Sequence, residues 1–264
     1  MNYGLEGKRA VVLAATRGLG FAVAEQLVQE GCNIAICGRD PVRLDTALER
    51  LRSAGGTGTV TGLRADVSRA EEINVFFEHV RQSMGDIDIL VTNAGGPPAG
   101  GFDDFDDEQW HAAFNLTCMS AVRAVRQVLP DMKKNGWGRI IAITSVAVKQ
   151  PIPNLILSNA IRAGLTGCMK TLADEVAAKG ITVNCLCPGY THTERIESLA
   201  EQMAHKEECL PDDIIARWSA MIPAGRLATP QEFASLACYL CSVQAAAITG
   251  ASFQVDGGLY KGLL

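Results

Sequence analysis

Ile140-Ile141-Ala142-Ile143-Thr144-Ser145 is a β-branched apolar run that ends in two hydroxyls. A short run of this kind, entered through Gly136-Trp137-Gly138, reads as a strand buried on both faces, as in a parallel sheet. Open α/β sheets hold their ligands beyond the carboxyl ends of the strands. Ser145 therefore stands where chemistry would take place. Residues 154–178 follow as a long helix that carries Ser158-Asn159-Ala160-Ile161-Arg162. Residues four apart share one helical face, so Ser158 and Arg162 are presented together toward the strand end.

Outward from this pair, strands and helices alternate. Residues 8–13 form an apolar strand, Ala14 to Gly20 a glycine-containing turn, and 21–30 a helix closed by Gly31. A second strand spans 33–37 and a helix 42–54. The loop Gly55-Gly56-Thr57-Gly58 leads to a third strand at 60–65. Ser68 with Glu71 has the spacing of a capping box for a helix over 69–83. The fourth strand, 87–92, runs into Asn93-Ala94-Gly95-Gly96-Pro97-Pro98, too rich in glycine and proline to continue. A long helix spans 108–134, the sixth strand 182–187, a helix 230–241 and a last strand 252–255. This alternation predicts an α/β fold, a doubly wound parallel sheet with helices on both faces, in one domain over residues 1–264.

Composition narrows the function. The 264 residues carry a formal net charge of −5 and no basic stripe, which excludes a nucleic-acid surface. No apolar run approaches the ~18 residues that span a bilayer, and residues 1–10 lack the apolar centre of a signal peptide. Nine cysteines in a chain of this size suit free thiols in a reducing cytoplasm. Cys185/Cys187 and Cys238/Cys241 read as buried small hydrophobes; no metal site is expected.

Taken together, the turn, Asn93-Ala94-Gly95, Ser145 and Pro188-Gly189 resemble the short-chain dehydrogenase/reductase family over residues 8–258, in the flavour of the 3-oxoacyl-[acyl-carrier-protein] reductases. The resemblance implies a Rossmann-like fold, a single dinucleotide-binding domain over residues 1–264 with a substrate lid at about 190–223, a nicotinamide cofactor, and a homotetramer or homodimer built through the two long helices. The family turn, Thr-Gly-x-x-x-Gly-x-Gly, is written here as Leu13-Ala14-Ala15-Thr16-Arg17-Gly18-Leu19-Gly20. Gly18 and Gly20 match, while Ala14 replaces the first glycine, at about 1–2 kcal/mol if that residue needs positive φ. Backbone N–H groups of such a turn meet phosphate at the helix N-terminus. Arg39 at the second strand's tip and Arg17 in the turn suit a ribose 2′-phosphate and favour NADP(H) over NAD(H); Asp40 offers the competing contact to a ribose hydroxyl. Asp66-Val67 resembles the adenine-edge contact. Asn93, Ala94 and Gly95 would lie along the adenosine half. Pro188, Gly189, Thr191 and Thr193 resemble the stretch over the nicotinamide.

The family's reaction centre combines Asn, Ser, Tyr and Lys. Asn115 and Ser145 match the first two, but the Tyr position is Ser158 and the Lys position is Arg162. This is an atypical active site. An aliphatic hydroxyl is a far weaker acid than a phenol, and Arg stays protonated. Arg162 can still bond a ribose and stabilise an oxyanion. Lys149, Tyr190, His192 or a Ser158–Ser145 hydroxyl chain are the substitute proton routes.

Two readings follow. One is an NADP(H)-dependent oxidoreductase acting on a carbonyl or secondary alcohol, a 3-oxoacyl thioester or related apolar ketone. The other is a dinucleotide-binding sensor or partner protein without efficient turnover; lyase or isomerase chemistry would need a base that no residue supplies. Met203, Leu210, Ile214, Ile215, Trp218 and Met221 give the 190–223 segment apolar surface suited to such a substrate, with Glu197, Glu201, Glu207 and Glu208 outside. Gly95 to Gly101 would form the opposite wall.

Overall fold

A computed structural model describes residues 2–263. Seven strands form one parallel sheet: β1 (Arg9–Val12), β2 (Asn33–Gly38), β3 (Val60–Arg64), β4 (Ile89–Thr92), β5 (Gly138–Ile143), β6 (Ile181–Pro188) and β7 (Ser252–Val255), in the order β3-β2-β1-β4-β5-β6-β7. The helices are α1 (Gly18–Gln29), α2 (Pro41–Arg52), α3 (Ala70–Met84), α4 (Asp107–Phe114), α5 (Ser120–Asn135), α6 (Ile156–Val176), α7 (Glu194–Glu207), α8 (Pro211–Met221) and α9 (Pro230–Cys241). The doubly wound fold is as the sequence predicts.

The period-2 alternation of a strand builds two cores from one run of residues. In β5, Ile140 and Ala142 face a cluster with Phe76 and Phe77 of α3, Val128 of α5 and Leu165 of α6. Ile141 and Ile143 face the other side, with Phe21 of α1, Leu48 of α2 and Phe233 of α9. Ile140 lies in register with Leu90 of β4 and Val183 of β6. The chain first winds outward from β1 to β3, then returns to β4 on the other side of β1. The switch point, and the cleft it opens, lie between β1 and β4.

Three local expectations are corrected. The helix expected over 108–134 is interrupted by a π turn at Asn115–Met119, where the Ser120 N–H reaches back to the Asn115 carbonyl. Ser68 and Glu71 form no capping box. The Ser68 hydroxyl donates to Asp66 at 2.7 Å, and α3 begins after Arg69. The 190–223 segment turns most of its apolar side chains into a small core of its own, in which Ile214 and Trp218 are buried and Met203 and Ile215 half-buried. Leu210 and Met221 are instead exposed.

All nine cysteines are free, and all but Cys168 and Cys209 are buried. Burial pushes the Cys185 and Cys238 thiols up to about 12. Among the described residues no helix is long and apolar enough to cross a membrane.

Candidate active site at the sheet switch point

The turn after β1 carries Ala14 at φ 47° and Gly18 at φ 60°. The sequence therefore places an L-residue in the left-handed region where the family has glycine. Neighbours hold it there: the Ala15 N–H donates to the Cys37 carbonyl at 3.0 Å, and Asn93 Nδ2 donates to the Ala14 carbonyl at 3.0 Å. Gly20 answers a close approach, since a Cβ there would lie 2.6 Å from Asn93 Nδ2 and 3.2 Å from Ala15 Cα. Arg17 stands at the N-cap of α1 and its side chain makes no cap. The first N–H groups of α1 thus keep their donors, beside a cavity lined by Gly18 and Leu19. Positive helix end, uncapped amides and close backbone fit the pyrophosphate of a dinucleotide.

At the tip of β2, Asp40 accepts from the N–H groups of Val42 and Arg43 at 2.9 and 3.2 Å. Through Oδ1 this carboxylate caps α2, while its Oδ2 lies 3.6 Å from Arg43 Nε. Arg39 is exposed. Arg17 does not join it: the Arg17 guanidinium is ion-paired with Glu194 at the start of α7, and Arg43 lies 3.7 Å from the same carboxylate. Arg43 was not singled out in the sequence, although it lies one helical turn beyond Arg39. Burial pushes the Asp66 carboxyl up, but hydrogen bonds from the backbone and hydroxyl of Ser68, with Arg39 and Arg69 nearby, outweigh it and hold it below the usual range.

The reaction end occupies the same cavity, of about 470 Å³. Ser145, Ser158 and Arg162 all line it, together with Ala14, Asn93 to Gly96, Pro188, Gly189, Thr191 and Thr193. Ser145 Oγ accepts from the Ala147 N–H at 3.1 Å, so its own O–H remains free to donate. Ser158 makes no side-chain hydrogen bond among the described residues and is buried in the lining of the same cavity. Arg162 Nη1 donates to the carbonyls of Ile143 and Thr144, both at 3.1 Å, which fixes the guanidinium beneath the end of β5. Burial, then the nearby cation of Arg195, bring the Arg162 pKa down to about 10.

Thr16, Gly20, Arg39, Asp66 and Val67 do not line the cavity. Asn115 is not brought to the reaction end. Its Nδ2 donates to the His111 carbonyl at 3.1 Å and its Oδ1 accepts from Arg123 at 2.9 Å. Its place is in the π turn, where the side chain is tied into α4 and α5. Of the substitute proton donors, Lys149 and His192 do not line the cavity and Tyr190 does. Tyr190 stacks on Trp218 with centroids 4.8 Å apart, and burial pushes its phenol up, making it a weaker acid. Gly95, Gly96, Pro97 and Ala99 form the wall facing α7. Across it lies a residue that sequence reasoning missed: Arg195, whose Nη1 and Nη2 donate to the carbonyls of Gly96 and Pro97 at 3.3 and 3.4 Å. Its only sequence signal was two positions of separation from Thr193.

A glycine-containing turn at the switch point, an uncapped helix end, and two hydroxyls above a buried arginine place this cavity in the class of Rossmann-type oxidoreductase sites. The chain belongs to the short-chain dehydrogenase/reductase family and is an enzyme of that family. The family profile described as enoyl-(acyl carrier protein) reductase matches residues 13–260. Dehydrogenase/reductase SDR family member 4 of Bos taurus is 32% identical, covering 96% of this chain and 88% of its own. D-beta-hydroxybutyrate dehydrogenase of Rhizobium meliloti is 35% identical, covering 95% of this chain and 98% of its own. Among solved structures, L-sorbose reductase of Gluconobacter frateurii, complexed with NADPH and L-sorbose, superposes with a TM-score of 0.95 at 33% identity over 100% of both chains.

Proposed function

We propose that this protein is an NADP(H)-dependent reductase or dehydrogenase that interconverts a carbonyl compound and a secondary alcohol without a catalytic phenol. The observation that carries the reading is the convergence of Ser145, Ser158 and Arg162 on the cavity that also holds the dinucleotide-type turn. When bound, the nicotinamide supplies or accepts the hydride. Ser145 donates its free O–H to the substrate oxygen. Arg162, held by two carbonyls, keeps its charge at neutral pH and stabilises negative charge as it develops on that oxygen. The Ser158 hydroxyl, free of internal partners, passes a proton between that oxygen and solvent. Thr191, Thr193, Pro188 and Gly189, which line the same cavity, would hold the nicotinamide.

NADP(H) is favoured because Arg39 and Arg43 stand at the tip of β2, where Asp40 is engaged by the α2 cap through one oxygen and faces Arg43 with the other. Similarity to an NADPH-bound reductase supports that preference. A 3-oxoacyl thioester or a smaller keto compound is the substrate class, in keeping with relatives named for hydroxybutyrate and sorbose. A cytoplasmic homotetramer or homodimer, formed through α5 and α6, is part of the same proposal. Light scattering on the purified protein tests that assembly.

The decisive measurement is NADPH oxidation over a panel of ketones, aldehydes and β-keto thioesters. Turnover should fall by about 10²–10³ in Ser145→Ala with NADPH affinity unchanged. Tight NADPH binding with no turnover on any substrate would instead support the second reading, a dinucleotide-binding sensor, to which the missing phenol points. Ser158→Tyr with Arg162→Lys separates the two further: a large gain marks an absent acid, while loss of a native activity marks a different proton path.

A further inference from the structure

We propose that the reaction end of the cavity selects a substrate bearing an anionic group, held by Arg195 of α7 and Arg162 of α6 from opposite walls. This rests on the reading that a carbonyl substrate enters the cavity beside a dinucleotide.

Both guanidiniums line the cavity, and all four of their hydrogen-bond acceptors are neutral backbone carbonyls. Among the described residues neither has an acidic partner. The lining contains a single carboxylate, Glu194, and that group is turned to Arg17 at the dinucleotide end. The reaction end is thus left with two positive charges and no counter-ion. Desolvation opposes each charge, and the two oppose one another. An anion entering between them relieves both terms at once.

The donors are available. Arg195 uses only two of its five N–H groups, in bonds of 3.3 and 3.4 Å, long for charge-assisted pairs. Gly96 leaves room for the guanidinium, since a Cβ there would lie 2.2 Å from Arg195 Nη2. Trp218 and Ile214 of the lid are spent in its own core, while Thr193, Arg195 and Ser198 face the cavity beside the apolar Ile196 and Leu199. This modifies the expectation of a purely apolar substrate: the charged end of the molecule meets Arg195, and its apolar part lies against Ile152, Leu155 and Ile196.

Calorimetry on the NADP+-loaded protein, whose oxidised cofactor has no hydride to give a ketone, tests the proposal independently of turnover. The probes are 3-oxobutanoate against its methyl ester, 3-oxohexanoate against its methyl ester, and dihydroxyacetone phosphate against dihydroxyacetone. At least one anion should bind about tenfold or more tightly than its neutral counterpart, the range of a charged hydrogen bond. The acid and phosphate arms tell which anion the site takes. Arg195→Leu should bring the ratio close to one, Arg195→Lys should retain part of it, and NADPH affinity should hold in both. Neutral probes binding as well as anions, or no anion binding to a protein that binds NADPH, would overturn the proposal. So would Arg195→Leu weakening NADPH while preserving the anion preference, which assigns the arginine to the cofactor's pyrophosphate. Absence of hydride transfer alongside anion-selective binding would strike only the redox reading.

Discussion

At the scale of the residue, Ala14 shows how a departure from the family pattern is accommodated. Its φ of 47° is held by the Asn93 amide on its carbonyl and by the Ala15 N–H on Cys37. A left-handed alanine costs about 1–2 kcal/mol, while glycine would add about 0.4–1 kcal/mol of unfolded-state entropy. Ala14→Gly should therefore stabilise the protein by up to about 1 kcal/mol, a rise of about 2 °C in Tm for a chain of this size. The same change removes a methyl from the dinucleotide approach, so NADPH should bind more tightly. A lower Tm together with weaker NADPH binding would show that the methyl is packed to advantage. Ser158 and Arg162 were legible as a pair because helical spacing alone sets them on one face. Arg195 was not, because its role depends on where α7 lies against residues 96 and 97, a tertiary fact with no local signature.

At the scale of the element, β1 and β4 flank the cleft and are tied at both ends. At the amino ends, Arg9 Nε and Nη2 donate to Asp88 at 2.8 and 2.9 Å, and the hydrogen bond to Asp88 raises the Arg9 pKa. At the carboxyl ends, Asn93 holds the Ala14 carbonyl. Both ties contribute to stability, but only the second shapes the turn that meets phosphate. Asp88→Asn and Asn93→Ala should each destabilise by about 1–2 kcal/mol in chemical denaturation, and only Asn93→Ala should weaken NADPH binding. Equal losses of affinity in the two variants would show that the turn is positioned by the sheet as a whole. The elements themselves were legible wherever composition bounded them: α9 begins at Pro230 behind the Thr229–Glu232 capping box, and β7 stops before Asp256-Gly257-Gly258. The π turn at Asn115–Met119 was hidden because no glycine or proline marks it. It coincides with Arg123 reaching Asn115 and the Ser68 carbonyl at 2.9 Å each, long-range geometry that periodicity does not encode.

At the scale of the whole molecule, consecutive residues of α7 fasten the 190–223 segment to both banks of the cleft. Glu194 reaches the dinucleotide turn through Arg17 and the start of α2 through Arg43, and Arg195 reaches the opposite loop at Gly96 and Pro97. The Glu194 pairs are exposed, and such pairs contribute about 0–1 kcal/mol, so this fastening is readily exchanged for ligand contacts. Glu194 also competes for the arginines that a 2′-phosphate would use. Neutralising it has two effects of opposite sign: the segment loses a tie, and the arginines gain freedom to meet phosphate. NADH lacks the 2′-phosphate and reports the first effect alone, whereas NADPH reports both. Glu194→Gln should therefore raise the ratio of NADPH to NADH affinity by about two- to fivefold, the value of one exposed ion pair, even if NADH binding itself weakens. The change should shrink at high salt, where exposed charges are screened. A ratio unaffected by the substitution would mean that Arg17 and Arg43 stay clear of the phosphate, leaving Arg39 as the cation that distinguishes the two cofactors.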